Sequence, residues 1–304
     1  MVSLIARERD CMHIFVPAGL EKNAREAGDP GVRWLDSLPE RVAELARAWS
    51  IRVGAAFDHS GAASWVAPVE LDDGARAILK VGMPHVEARY EADALRLLDG
   101  QGTVRLLRVS DDGFSLLLER CNPGTDLWSL SAEGRDSVAC EILPRLWQEP
   151  EESAPFLPLT QLLSRWSEEI PPVAAGRGYN SGDVAAILDL GRELAASQPR
   201  CALLHGDFHP GNVLAAQRQP WLVIDPKPFL GEPAFDLAQW FYNRYFQVGQ
   251  SVDAVAVLRE EMSRFAAKLN LDASRIAGWT VVKALGWDCG PEVVKLFQNV
   301  VEAC

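Results

Sequence analysis

The apolar and polar positions change period along the chain, and the changes mark out its elements. Residues 34–49 place Val42, Leu45, Ala46 and Trp49 on one helical face. Ser37 with Glu40 has the form of a capping box and Pro39 sits in the first turn, so a helix is predicted over this stretch. From about 51 to 81 the period is that of strands. Ser64 to Leu71 and Ala75 to Val81 flank Asp72-Asp73-Gly74, which predicts a hairpin. A helix is expected over about 85–98, with Tyr90, Ala94, Leu95 and Leu98 inward. A second hairpin, Val104 to Val109 with Phe114 to Glu119, turns at Asp111-Asp112-Gly113.

Asn122-Pro123-Gly124 cannot continue a strand, and beyond it the pattern becomes helical. Helices are predicted at about 132–147, 160–169, 183–197, 236–247, 252–269, 273–287 and 291–303. Pro171 to Gly182 reads as a loop or insert. Two short strands, Val213 to Ala216 and Trp221 to Asp225, interrupt the helices. The expected fold class is therefore α+β with two lobes. Residues 1–120 form a small antiparallel-sheet lobe with a helical N-terminal extension, and residues 121–304 form a mainly helical lobe.

Composition narrows the function. The 304 residues are 48% hydrophobic and carry a net charge of −12, which argues against a nucleic-acid partner. An acidic surface suits a cationic small molecule, and equally it suits plain solubility. Six cysteines show no C-x-x-C pair, which points to a reduced compartment. The first residues lack a signal-peptide pattern, and no apolar run approaches the roughly 18 residues of a membrane span. A cytoplasmic protein is expected.

The densest polar cluster is His205-Gly206-Asp207-Phe208-His209-Pro210-Gly211-Asn212, followed by Asp225 at the end of an apolar strand. Asp207 and His209 could simply satisfy a turn. The alternation of His205, Asp207 and His209 could also serve a zinc or di-metal hydrolase. A third reading is phosphoryl transfer, because Asp207 and Asn212 have the H-x-D-x-x-x-x-N spacing of a kinase catalytic loop. Asn212 and Asp225 then offer the hard oxygens that Mg²⁺ takes. That reading demands a strand lysine and a helix glutamate upstream. Lys80 ends an alternating apolar strand, and Glu91, preferred over Glu87, lies in the next helix. It also wants small residues to cover phosphates, which the turn around Ser60 and Gly61 supplies. An extended linker for adenine is available at Glu119 to Cys121.

HGDFHPGNVL (205–214) and IDPKPFLGEPAFDLA (224–238) resemble the paired motifs of the aminoglycoside phosphotransferase family. MPHVEARYEADALRLLDGQGTVRLL (83–107), LLLER (116–120) and WLVIDPKP (221–228) narrow the resemblance to the aminoglycoside and hydroxyurea resistance kinases. It implies the protein-kinase-like two-lobed fold, ATP and Mg²⁺ as cofactors, and a small-molecule hydroxyl acceptor, foremost a cationic aminoglycoside antibiotic of the streptomycin type, inactivated by phosphorylation. Hydroxyurea or another small hydroxyl metabolite is the alternative acceptor, and a nucleotide-binding pseudokinase the alternative of another class. Carried over, Asp207 is implied as catalytic base, Asn212 and Asp225 as metal ligands, and Lys80 with Glu91 as the phosphate-binding pair. His205, His209 and Asp236 are implied as supports of the loop. Glu232, Asp288 and Trp287 are candidates for acceptor contacts.

Overall fold

The computed structural model describes residues 14–58, 63–149, 151, 153–248, 251 and 253–303. The chain divides into two units. One runs through Ala92 and takes in Arg105–Arg120; the other comprises Asp93–Val104 and the residues from Cys121 onward.

In the first unit, helices Ala18–Glu26 and Asp29–Trp49 form a hairpin. Gly28 stands between them at φ 74°, and a Cβ on Gly31 would lie 1.9 Å from the Ala24 carbonyl oxygen, so two glycines permit the close crossing. The second helix thus starts at Asp29 and not at residue 34. Ser37 lies within it and caps nothing; its hydroxyl donates to the Trp34 carbonyl at 2.8 Å. What carries the helix through Pro39 is its apolar stripe. Leu38, Val42 and Leu45 share one buried cluster with Trp65, Ala67, Val69, Ala77, Leu79, Val81 and Leu117.

Those strand residues belong to a five-stranded antiparallel sheet. Its members are β1 (Ile51–Val53), β2 (Ser64–Leu71), β3 (Arg76–Gly82), β4 (Leu106–Val109) and β5 (Ser115–Glu119), in the order β1-β2-β3-β5-β4. Both expected hairpins are present. Gly74 and Gly113 adopt φ of 83° and 81°, and the carboxylates of Asp73 and Asp112 accept the N–H groups of Ala75 and Phe114 at 2.9 and 3.1 Å. Because side chains alternate along β3, Ala77, Leu79 and Val81 face the helical hairpin while Lys80, in register with Val66 and Leu116, takes the opposite face. The helix expected from 85 spans Glu91–Leu98 only; residues 86–90 form turns ahead of it.

The second unit is built around helix Ala273–Gly286, in which every residue from Ile276 to Leu285 is buried. It packs against Ser181–Ala196, Ala234–Val248, Ala254–Leu269 and Pro291–Ala303, close to the predicted helices. The stretch 171–182 is ordered into a short helix, Pro171–Ala174, and a 3₁₀ turn, Ala175–Arg177. Asn180 then caps the following helix by accepting from Gly182 and Asp183. Five short strands frame the polar loop: β6 (Leu157–Pro158), β7 (Ala202–Leu204), β8 (Val213–Ala215), β9 (Trp221–Val223) and β10 (Phe229–Gly231). The β8–β9 hairpin was legible in the sequence, whereas the β6-β10-β7 sheet is made of strands too short to show a period. Among the described residues no helix is long and apolar enough to cross a membrane.

Candidate active site

A buried lysine needs a partner, and Lys80 has one in its own unit. Its Nζ donates to both carboxylate oxygens of Glu91 at 2.6 Å, with the side chains 9% and 5% exposed. Ser60 and Gly61 lie outside the described residues. Glu119 ends β5: its carboxylate accepts the Arg105 N–H at 3.0 Å and its own N–H donates to the Arg105 carbonyl at 2.9 Å. In the second unit, Cys121 is half-buried.

The polar loop of the second unit follows β7. Its sharp entry depends on Gly206, at φ 78°, where a Cβ would stand 1.9 Å from the Lys227 carbonyl oxygen. Asp236, fully buried, organises this entry. One carboxylate oxygen accepts the N–H of His205 at 2.9 Å and the indole N–H of Trp147 at 2.9 Å; the other accepts the N–H of Gly206 at 2.7 Å. His205 is engaged at both ring nitrogens. Nε2 faces the Ile224 carbonyl at 2.9 Å and Nδ1 faces the Asp207 N–H at 3.2 Å, which assigns the proton to Nε2 and the acceptor role to Nδ1. Burial holds the ring's pKa below its ordinary value, in keeping with a neutral imidazole. His209 is likewise pushed down by burial, and its Nδ1 accepts the Gly211 N–H at 3.1 Å. The alternating-ligand hydrolase reading fails here, since neither His205 nitrogen is left for a metal.

Asp207, Asn212 and Asp225 come together in this unit. The Asn212 amide N–H₂ donates to the Asp207 carbonyl at 3.0 Å, which leaves Oδ1 as the group available to a cation. The Ile224 N–H donates to the Asn212 carbonyl at 2.9 Å, joining the two strand ends. Asp225 occupies the left-handed region at φ 59°, which an aspartate tolerates better than most residues. An amide oxygen and a carboxylate are a donor set that fits Mg²⁺. Between the carboxylates stands a residue the sequence reading passed over. Lys227 Nζ donates to Asp207 Oδ2 at 2.8 Å and to Asp225 Oδ2 at 3.2 Å. Burial disfavours its charge, yet the two aspartates raise its pKa above the ordinary lysine value. Asp207 shows the reciprocal effect. Burial opposes its ionisation, but Lys227, His209 and Lys283 outweigh burial and keep its pKa low, so it is a carboxylate at neutral pH.

Lys283 is the second residue that sequence reasoning missed, although a lone lysine in the apolar run Ile276–Leu285 was a visible signal. It is 2% exposed and donates to the Gly206 carbonyl at 2.6 Å, with the rings of Phe235 and Trp287 at 4.8 and 4.6 Å. Burial pushes its pKa down to about 8.

The acceptor candidates fare unequally. Glu232 is 2% exposed and fully engaged: it accepts from Arg275 Nε and Nη2 at 2.5 and 2.7 Å and from the Trp279 indole at 2.7 Å. It is a core ion pair, and its proposed role as an acceptor contact is withdrawn. Asp288 remains at the surface, paired with Arg177 at 2.6 Å, and Trp287 is 39% exposed.

Comparison with known proteins bears on the chemistry. A model described as aminoglycoside/hydroxyurea antibiotic resistance kinase matches residues 51–286. The chain is 34% identical to a streptomycin 6-kinase of Streptomyces griseus over 91% of each protein. It is 36% identical to a hydroxyurea phosphotransferase of Kitasatospora aureofaciens over 95% of this chain and 84% of that one. Among solved structures it resembles the choline kinase LicA of Streptococcus pneumoniae, with a TM-score of 0.59 at 15% identity over 86% of this chain and 97% of the other. An aminoglycoside phosphotransferase in complex with ADP and hygromycin B superposes with a TM-score of 0.56 at 14% identity, over 86% and 97%. The two-lobed protein-kinase-like fold is thereby established, and the chain belongs to the aminoglycoside/hydroxyurea antibiotic resistance kinase family.

Proposed function

We propose that this protein transfers the γ-phosphoryl group of Mg·ATP to a hydroxyl of a cationic aminoglycoside of the streptomycin type, and so inactivates it. The observation that carries the reading is the buried Asp207 carboxylate, paired with Lys227 and placed with Asn212 and Asp225 by a loop that Asp236 holds. In this account the unit ending at Arg120 handles the nucleotide and the unit from Cys121 handles catalysis and the acceptor. Lys80, oriented by Glu91, meets the nucleotide phosphates. Asn212 and Asp225 would hold magnesium, which when bound neutralises phosphate charge. Asp207 orients the acceptor hydroxyl and receives its proton, and positioning supplies most of the acceleration.

Two kinases named for streptomycin, 34% and 35% identical, support this acceptor class. Asp288 would meet a guanidinium of the acceptor only by exchanging its present partner, Arg177, at 2.6 Å. Trp287, partly exposed, would give that ligand an aromatic face. A second reading, with hydroxyurea as acceptor, is favoured by the relative named for that activity. A pseudokinase is disfavoured, since Lys80, Asp207, Asn212 and Asp225 are all present. The reaction is assigned to the cytoplasm, where ATP is supplied.

The test is acceptor-dependent ADP release from Mg·ATP, run with streptomycin, other aminoglycosides, hydroxyurea and simple sugars, with Asp207→Ala as blank. Streptomycin-dependent release that the substitution abolishes supports the first reading. Release with hydroxyurea alone replaces the acceptor. ATP binding without release for any acceptor overturns the proposal.

A further inference from the structure

Phosphoryl transfer spreads negative charge over the group in flight, and groups that meet that charge need fixed cations close to the base. The second unit holds such a cation beyond those already given roles. Lys227 Nζ lies 2.8 Å from Asp207 Oδ2 and 3.2 Å from Asp225 Oδ2. An ammonium has three N–H donors, and these contacts engage two of them. The backbone behind the side chain is locked. The Lys227 N–H donates to the His205 carbonyl at 2.8 Å, and its own carbonyl abuts Gly206 so closely that a Cβ there would lie 1.9 Å away. The side chain is nevertheless 25% exposed. A locked backbone, two engaged donors and an open third describe a charge presented to a ligand. A surface ion pair would hold neither lysine nor loop in this way.

We propose that Lys227 is a catalytic residue of the transfer, its ammonium contacting the phosphoryl group as that group passes to the acceptor. The inference rests on the phosphotransferase reading above. In the step it serves, the acceptor oxygen forms a bond to the γ-phosphorus and the bond from that phosphorus to the bridging oxygen breaks. The electron pair leaves with ADP and the hydroxyl proton goes to Asp207. Lys227 keeps its proton throughout and acts by charge and hydrogen bonding.

A lysine that only ties Asp207 to Asp225 makes a different prediction, because it has no reason to distinguish nucleotides by their last phosphate. The discriminating measurement needs no turnover. Calorimetric affinities for Mg·ADP and for the Mg complex of a β,γ-imido ATP analogue are compared in wild type, Lys227→Met and Lys227→Arg, each checked by its melting curve. The expected result is that Lys227→Met weakens the analogue about tenfold or more and ADP by less than about twofold, with Lys227→Arg restoring most of the difference. Turnover of Lys227→Met should fall by about 10²–10³. Equal loss for both nucleotides, or loss for neither, overturns the proposal. If Lys227→Met does not fold, Lys227→Gln gives the same comparison. A wild-type protein that binds neither nucleotide would sink the phosphotransferase reading instead, so the two failures are distinct.

Discussion

Glu232→Gln separates the structural from the functional use of an acidic residue. The substitution keeps the side chain's shape and removes its charge. Three donors converge on the carboxylate, two from Arg275 and one from Trp279, at 2.5, 2.7 and 2.7 Å. An amide keeps one accepting oxygen and turns an N–H₂ group toward the donors at the other. Glu232 is 2% exposed and Arg275 only 16%, so the guanidinium left behind has little water to turn to. Removing one partner of a buried pair costs about 3–5 kcal/mol. For a chain of 304 residues that corresponds to a fall in Tm of roughly 5–8 °C. Urea unfolding followed by tryptophan fluorescence reads the loss directly, and the acceptor KM should stay within about twofold of wild type. Adding Arg275→Met should recover a large part of the stability, since the uncompensated charge is then gone. Unchanged stability with an acceptor KM raised tenfold would refute the assignment of Glu232 to the core and return it to the acceptor site.

Gly206→Ala places a methyl group 1.9 Å from the Lys227 carbonyl at a φ of 78°, so it should destabilise the protein by several kcal/mol, about 3 or more, and abolish turnover; activity near wild type would contradict the loop geometry. Glu91→Gln should raise the KM for ATP about tenfold while leaving the acceptor KM unchanged, because Lys80 loses the carboxylate that aims it. Lys283 should mark stability at alkaline pH. Its folded pKa is about 8 against an ordinary 10.5, so between those values the unfolded chain holds a proton that the folded one lacks. The burial penalty is complete below about pH 8 and is relieved as pH rises to 10.5, and the stability of wild type relative to Lys283→Met should climb by up to about 3 kcal/mol across that window. A flat difference between the two proteins in urea titrations over this range would contradict it.

Much of this was legible in the sequence where local chemistry decides structure. Asp-Gly turns fixed both hairpins of the first unit, and the 3.6-residue period located the long helices of the second. Local signals failed where packing overrode them. The capping box at Ser37 and Glu40 was outvoted by Gly28, Gly31 and a stripe that buries Leu38, Val42 and Leu45. Glu232 looked available because nothing in sequence reveals Arg275, 43 positions away, as its partner. Lys227 stood inside the quoted motif yet attracted no role, since its significance lies in distances to Asp207 and Asp225 that spacing alone does not express. Lys283 was visible as a lone charge in an apolar helix, but its acceptor, the Gly206 carbonyl 77 positions away, was not.

The central claim is that Asp207 serves transfer of a phosphoryl group and does not hold the nucleotide. Phosphorus NMR of the enzyme with Mg·ATP and streptomycin, with wild type and Asp207→Ala side by side, tests it directly. The account predicts a new phosphomonoester resonance growing with ADP in the wild-type sample. In the Asp207→Ala sample that resonance should be absent or slowed by about 10³ or more, while Mg·ATP affinity stays within about threefold. A phosphomonoester formed by Asp207→Ala at the wild-type rate, or an affinity for Mg·ATP that collapses with the substitution, would contradict it.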